Sequence, residues 1–194
     1  GSAENWLRIM GEAQELGLTT SATNVFGFGE APSDRVEHMS KIRKMQDSAI
    51  SNGNIGFTSF VSWPVQLENN AFGRRNGGLN RIELGASSSE YLRHLAVSRL
   101  FFDNIAHIQA SWPTMGLEVA QVALLGGADD AGSTMMEENV VSASGTDRTE
   151  ATEKELQRII SLAGFTPRKR DSDYNKLQTD NVYTMQVSAP PPVQ

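Results

Sequence analysis

Thr19-Thr-Ser-Ala-Thr-Asn-Val-Phe-Gly-Phe-Gly-Glu-Ala-Pro32 is the stretch that decides the fold. Thr19 to Phe26 is rich in Thr and other strand formers, and Gly27 and Gly29 then mark a turn. Pro32 suits a first helical position, because its missing N–H has no partner there in any case. Beyond it Val36, Met39, Ile42, Met45 and Ala49 recur at three- and four-residue steps, which makes one apolar helical face. The order is strand, glycine turn, helix.

The same alternation extends in both directions. Upstream, Trp6, Leu7, Met10, Ala13 and Leu16 form a helical stripe that Gly17 terminates. Downstream, Phe57 to Val61 reads as a strand, and Ser87 with Glu90 forms a capping box for a helix carrying Tyr91, Leu92, Leu95, Ala96 and Leu100. Ile105 to Ser111 reads as a third strand, Leu117 to Leu125 as a helix closed by Gly126-Gly127, and Ala128 to Ala131 as a short fourth strand. Thr152 and Glu155 open a last helix, with Leu156, Ile159, Ile160 and Ala163 inward and Gly164 as its stop. Strands alternating with helices predict an α/β fold with about four parallel strands. An eight-stranded barrel needs about 250 residues, so four strands amount to half of one. Residues 1–174 are expected to form this domain, and the aperiodic, proline-ended stretch 175–194 a disordered tail.

Composition narrows the function. With 194 residues, 39% of them hydrophobic, the chain has enough material for one core. A net charge of −6 leaves no excess of cations for a phosphate backbone, so no nucleic acid is expected as a partner. No apolar run approaches the roughly 20 residues of a membrane span, which sets the expectation of a soluble, cytoplasmic protein with no membrane partner. The absence of cysteine excludes disulfides, thiolate zinc sites, Cys-ligated clusters and a cysteine nucleophile within this chain. His38, His94 and His107 are too far apart in sequence for a local metal pair, and no metal ligand is assigned.

In parallel α/β folds ligands bind at the carboxyl ends of the strands, so the turns there hold the candidates. In the first turn Gly27 and Gly29 permit close backbone approach, and Glu30 either accepts hydrogen bonds from a ligand or is a solvated acid in an ordinary turn. In the second, Trp63 offers a flat surface for a planar ring or packs on the next helix, and Gln66 offers a paired donor and acceptor. The Gly-, Asn- and Arg-bearing stretch Phe72 to Leu84 reads as a flexible insertion. In the third, strand alternation sends Gln109 and Ser111 to one face, where they line a polar interior or are satisfied by neighbours. The fourth holds Asp129-Asp130 and then Glu137 and Glu138, and the last two separately bind ribose hydroxyls, act as a general base or pair with arginines. No nucleophile elbow, phosphate loop or complete dinucleotide fingerprint is present, and no catalytic residue is assigned.

The run Tyr91-Leu-Arg-His-Leu-Ala-Val-Ser-Arg-Leu-Phe-Phe-Asp-Asn-Ile-Ala-His-Ile-Gln-Ala-Ser-Trp112 resembles the C-terminal half of radical S-adenosylmethionine enzymes acting on futalosine derivatives and deazaflavin precursors. Gly132-Ser-Thr-Met-Met-Glu-Glu-Asn-Val-Val-Ser-Ala-Ser-Gly145 and Phe57-Thr-Ser-Phe-Val-Ser-Trp-Pro-Val-Gln66 are most similar to the dehypoxanthine futalosine cyclases of menaquinone biosynthesis, also called cyclic dehypoxanthinyl futalosine synthases. The similarity runs from about Asn5 to Tyr174. It implies a (β/α)8-type barrel of which this chain is the C-terminal half, and an N-terminal half whose Cys-x-x-x-Cys-x-x-Cys motif holds a [4Fe-4S] cluster that cleaves S-adenosylmethionine. Neither cofactor is expected to be bound by this chain alone. By position, Gly27, Gly29 and Glu30 resemble the segment that contacts S-adenosylmethionine, while Gln66, Gln109, Ser111, Glu137 and Glu138 fall where the nucleoside-like substrate would sit.

Two departures bear on this. The family reads Gly-His-Val-Glu-Thr where this chain has Gly27-Phe28-Gly29-Glu30-Ala31, and the Phe72 to Leu84 stretch is longer than the family's. The resemblance implies part of a cyclase, inert without a complementary cysteine-bearing N-terminal half. The alternatives are a non-catalytic half-barrel that binds a nucleoside-like ligand or a protein, and a fragment that self-associates through its barrel edges.

Overall fold

The computed structural model describes residues 2–75, 80–134 and 150–175, and the backbone of 184–186. It contains helices α1 (Ala3–Glu15), α2 (Pro32–Ser51), α3 (Ala71–Arg75), α4 (Ser88–Phe101), α5 (Trp112–Met115), α6 (Leu117–Leu125) and α7 (Glu153–Leu162), and strands β1 (Thr20–Phe26), β2 (Phe57–Pro64), β3 (His107–Gln109), β4 (Thr166–Lys169) and β5 (Thr184–Gln186). β1, β2 and β3 form a parallel sheet in that order. The α/β class with a parallel sheet is therefore as the alternation predicts. The expected fourth strand reduces to one parallel bridge, Gln109 with Asp130, held by Ala110 N–H to Asp130 O at 2.7 Å and Asp129 N–H to Ile108 O at 3.1 Å. Among the described residues the parallel sheet thus has three strands rather than four, with Gly132 at φ +80° and the Trp112 indole bonded to the Ser133 carbonyl straight after Asp130.

Local chemistry sets the helix ends. Pro32 opens α2 and the Asp34 carboxylate accepts from the Ala31 N–H at 2.9 Å. At α7 the Thr152 and Glu155 side chains cap each other's backbone amides reciprocally, as the sequence predicts. At α4 half of the expected box forms: Ser87 Oγ accepts from the Glu90 N–H at 3.3 Å, but the Glu90 carboxylate turns to Arg93 and Arg35 instead.

The core lies between the sheet and α2, α4 and α6. Ala22, Phe26, Phe60, Ile108 and Ala110 bury there with Met39, Ile42, Leu95 and Phe102. Burying each of the Phe, Ile, Leu and Met side chains contributes about 1.5–3 kcal/mol. Phe60 meets Phe102 at a centroid distance of 4.7 Å, and Trp6 of α1 stacks on Phe57 at 5.9 Å. Three residues read on apolar helical faces are not buried: Leu16, Val36 and Leu100 are 79%, 44% and 85% exposed. Gln46 takes a buried place on α2, where its Oε1 accepts from the Phe57 N–H at 2.6 Å and its Nε2 donates to the Phe57 and Asn104 carbonyls, fixing the start of β2.

β4 follows α7 and pairs antiparallel with β5, which falls within the stretch read as a tail. In the stretch read as an insertion, Ala71–Arg75 is helical and Leu84 is buried. Among the described residues no helix is long and apolar enough to cross a membrane.

Candidate functional site at the carboxyl ends of the strands

Register defines the face of the sheet turned away from the core. Ser21, Ser59 and His107 form its first row, Thr23, Val61 and Gln109 its second, and Val25 with Trp63 its third, nearest the carboxyl ends. Asp130 joins the second row through its bridge to Gln109. Val25 and Trp63 are exposed, so the third row presents an apolar, aromatic floor.

The turn after β1 is closed by its own acid. Glu30 accepts from the Gly27 N–H at 3.0 and 3.1 Å and from the Phe28 N–H at 2.7 Å, and Arg35 Nε donates to it at 2.6 Å. Burial pushes the Glu30 carboxyl up, but the hydrogen bonds from the turn amides and Arg35 outweigh it and hold the group below its ordinary value. Gly27 has φ +93°, and a Cβ there would sit 2.3 Å from Ala86 Cβ, so the close approach that the glycine permits is to the chain ahead of α4. Gly29 is exposed on the turn. Arg35 also donates to the Gly85 carbonyl at 3.0 Å, and its guanidinium carbon lies 4.6 Å from the Phe26 ring centroid. One arginine therefore joins the β1–α2 turn to the chain before α4.

Gln66 and Ser111 are brought together indirectly. Gln66 Oε1 accepts from Arg81 Nη2, Arg81 Nη1 donates to the Thr114 carbonyl at 3.4 Å, and the Thr114 and Ser111 hydroxyls are 2.8 Å apart. Arg81 thus links the segments after β2 and β3, and sequence reasoning missed it because it lies in the stretch read as insertion. Ser111 is fully buried, and its N–H donates to Tyr91 Oη at 2.8 Å. Gln109 lies on the predicted face, where its amide packs on Gly132. Glu137 and Glu138 lie outside the described residues.

Beneath these groups the two adjacent acids separate. The Asp129 carboxylate takes His107 Nδ1 at 2.7 Å, Arg99 Nη2 at 2.5 Å and the Ile108 N–H at 2.7 Å. Burial pulls this carboxyl upward, but the bonds from His107 and Ile108, with the charge of Arg99, keep it below its ordinary value. Asp130, nearly fully buried, accepts from Arg170, from Tyr174 Oη at 2.5 Å and from the Gly132 N–H at 2.9 Å. Thr19 Oγ1 donates to Asp173 at 2.7 Å, so the segment after β4 crosses from Asp130 to the start of β1. Asp129 thus pairs with Arg99 and Asp130 with Arg170.

The core side carries one more polar group. His94 is buried, with Asn24 Nδ2 donating to its Nε2 at 3.1 Å and Ser62 donating to Asn24 Oδ1 at 2.5 Å. Burial first, and the charge of Arg35 second, push its pKa down to about 4, so the imidazole is neutral and accepts. His38 donates from Nε2 to the Thr23 carbonyl at 3.2 Å, since a carbonyl only accepts.

Cofactor chemistry is limited by these residues. Thiolate ligation of an iron–sulfur cluster does not fit a chain without cysteine, and among the described residues no group of three or more His, Asp or Glu is placed to hold a metal ion. Val25 and Trp63 are exposed, while Gln66 is held by Arg81 and the buried Ser111 and Thr114 hydroxyls pair with each other.

A family model described as the CofH/MqnC C-terminal region matches residues 54–182. The cyclic dehypoxanthine futalosine synthase of Streptomyces coelicolor is 41% identical over 176 residues, covering 91% of this chain and 41% of the relative. The enzyme of the same name from Halalkalibacterium halodurans is 40% identical, covering 91% of this chain and 44% of the relative. The aminodeoxyfutalosine synthase of Thermus thermophilus is 38% identical, with 91% and 45% covered. The chain spans less than half the length of each of these relatives. Matched by the family model over most of its length, the chain belongs to the CofH/MqnC C-terminal region family.

Proposed function

We propose that the chain is the C-terminal part of a radical S-adenosylmethionine cyclase that converts dehypoxanthine futalosine to its cyclic form in menaquinone biosynthesis. The observation that carries this reading is identity of 41% and 40% to two proteins named for cyclic dehypoxanthine futalosine, against 38% to the aminodeoxyfutalosine synthase. On this reading the chain is half of a (β/α)8-type barrel, contributing the substrate side of the site. The floor at Val25 and Trp63 takes the planar part of the nucleoside-like substrate, and Gln66, Gln109 and Ser111 with Arg81 order its polar groups. The [4Fe-4S] cluster and S-adenosylmethionine belong to a cysteine-bearing N-terminal half, and the isolated chain is inert.

The test is reconstitution. The chain is mixed anaerobically with a cysteine-bearing N-terminal half, the cluster is rebuilt, and deoxyadenosine release and cyclisation of dehypoxanthine futalosine are followed. Activity is expected in the mixture only. An assembled, cluster-loaded mixture that releases no deoxyadenosine would overturn the reading.

One observation favours a second reading, a non-catalytic half-barrel that binds a nucleoside-like ligand or a protein. The carboxylate of Glu30, at the position that resembles the S-adenosylmethionine segment, is taken up by its own turn and Arg35, and Phe28 and Ala31 offer no side-chain hydrogen bond there. Calorimetric binding of a nucleoside to the chain, with no activity in the mixture, would select it.

A further inference from the structure

Single exposed aliphatic side chains are common on a protein surface, but a set of them on one face of two adjoining helices is not. Val97 and Leu100 of α4 and Val122 and Leu125 of α6 are all exposed. α6 is apolar on every side: Leu117, Ala120, Ala123 and Leu124 face the core, Val122 and Leu125 face outward, and its polar residues are Glu118 and Gln121. A helix of that composition is ordinarily covered all round. Among the described residues the outer side of α6 is left open.

The two helices are parallel neighbours. α4 connects β2 to β3, and α6 connects β3 to the bridge at Asp130, so each is a crossover between parallel strands. Right-handed crossovers put both on one side of the sheet, running opposite to the strands and so in the same direction as each other. They pack together, and Arg99 Nε donates to the Gly127 carbonyl at 2.7 Å, which ties the end of α4 to the end of α6. Their outer faces carry one pattern. Arg93, Val97 and Leu100 stand at steps of four and three residues, and so do Glu118, Val122 and Leu125, one aliphatic pair preceded by a cation and the other by an anion. Arg93 bonds to Glu90 at 2.6 Å, an exposed pair within one helix of a kind that stabilises little, so Arg93 can turn to another acid.

We infer that the outer faces of α4 and α6 form an interface between two copies of this chain, related by a two-fold axis that runs along the helices and between them. Such an axis keeps the helix direction and lays α4 of one copy along α6 of the other. Val97 and Leu100 meet Val122 and Leu125 of the second copy, Arg93 meets its Glu118, and the same contacts recur on the other side of the axis. One symmetry operation pairs both aliphatic sets and both charges, which a face of a single charge sign would not allow. The interface uses outer helices and no strand edge, so it stands or falls apart from the reading as a cyclase part.

Sedimentation velocity is run on the whole chain from about 5 to 500 µM, a range suited to the micromolar affinity of a small interface. A reversible rise from one chain to two is expected. Leu100→Lys and Leu125→Lys, each adding a cation that a helix C-terminus tolerates, are expected to weaken association about ten-fold or more with unchanged circular dichroism. Arg93→Glu and Glu118→Arg, each alone, put like charges across the axis and are expected to weaken it as well. Mixed in equal amounts, these two variants have opposite charges at both contacts, so the mixture is expected to dimerise as the original chain does. If a lysine variant alters the circular dichroism, the mixing experiment decides alone. A chain that stays single throughout overturns the inference. So does a dimer that the mixture fails to restore, or one that the lysine variants leave intact, since either result places the interface elsewhere.

Discussion

The Tyr174 ring lies flat on the His107 imidazole, with centroids 3.8 Å apart and planes 4° from parallel. His107 stands in the first row of the open sheet face, and Tyr174 comes from the segment after β4. The pair, with the Tyr174 hydroxyl on Asp130 and Arg170 over its ring, covers the amino-terminal end of that face. The third row, at Val25 and Trp63, is exposed.

Tyr174→Phe keeps the stack and removes one hydrogen bond to a buried carboxylate, an expected loss of about 1–2 kcal/mol by urea denaturation. Asp130→Ala leaves Arg170 without its carboxylate and is expected to cost about 3–5 kcal/mol. The double variant should lose less than the sum of the two. Strict additivity would show that the hydroxyl and the carboxylate do not act together.

Gly132 has φ +80°, and a Cβ there would lie 2.6 Å from Gln109 Nε2. Gly132→Ala is expected to destabilise by about 1–3 kcal/mol and to shift the emission of Trp112, whose indole N–H donates to the Ser133 carbonyl. Adding Gln109→Ala removes the clash and should recover part of the loss. No recovery would assign the whole cost to backbone strain.

Acid is expected to weaken the fold in two windows. The folded pKa of His94, about 4, lies below its ordinary 6.5, so the unfolded chain binds the proton first. Stability is full above about pH 6.5 and falls toward pH 4 by about 3 kcal/mol in total. His38, lowered by burial against the opposing effect of its bond to Thr23, acts in the same direction. Glu30, held below its ordinary 4.5, adds its own loss only at more acid pH. Denaturation midpoints between about pH 7.5 and 5 measure the histidine part, and His94→Gln should flatten the slope. An unchanged slope would remove His94 from this account.

Glu30→Gln leaves one oxygen where two served the Gly27 and Phe28 amides, and leaves Arg35 with Glu90, at 3.7 Å, as its charge partner. Exchange of those two amides is expected to quicken, with a stability loss of about 1–2 kcal/mol. Unaltered exchange at both would show that the turn is held by the packing of Gly27 on Ala86 instead.

Much of the scaffold is legible in local pattern. The α6 boundaries, Leu117 to Leu125, follow from an apolar run closed by two glycines, and the reciprocal cap of α7 from Thr152 and Glu155 three residues apart. The separation of Ile108 and Ala110 from Gln109 follows from a period of two. Helical spacing puts Leu100 on the apolar stripe, yet among the described residues nothing covers it at the end of α4. β4 escaped because Thr166-Pro-Arg-Lys169 has neither alternation nor apolar content, and its pairing partner lies outside its neighbourhood.

The sequence by itself determined the order α1, β1, α2, β2, α4, β3, α6 and α7, the reciprocal cap of α7, the polar face of β3 and the lack of any thiolate ligand. Only the tertiary structure decided what each polar group does. It turned Glu30 inward on its own turn, and it sent Asp129 to His107 and Arg99 and Asp130 to Arg170 and Tyr174. It also drew Arg81 out of a stretch read as an insertion to join Gln66 to Thr114. The physical reason is range. Periodicity and capping act over three or four residues, whereas these contacts join positions as far apart as Thr19 and Asp173, which only the packed sheet brings within a hydrogen bond.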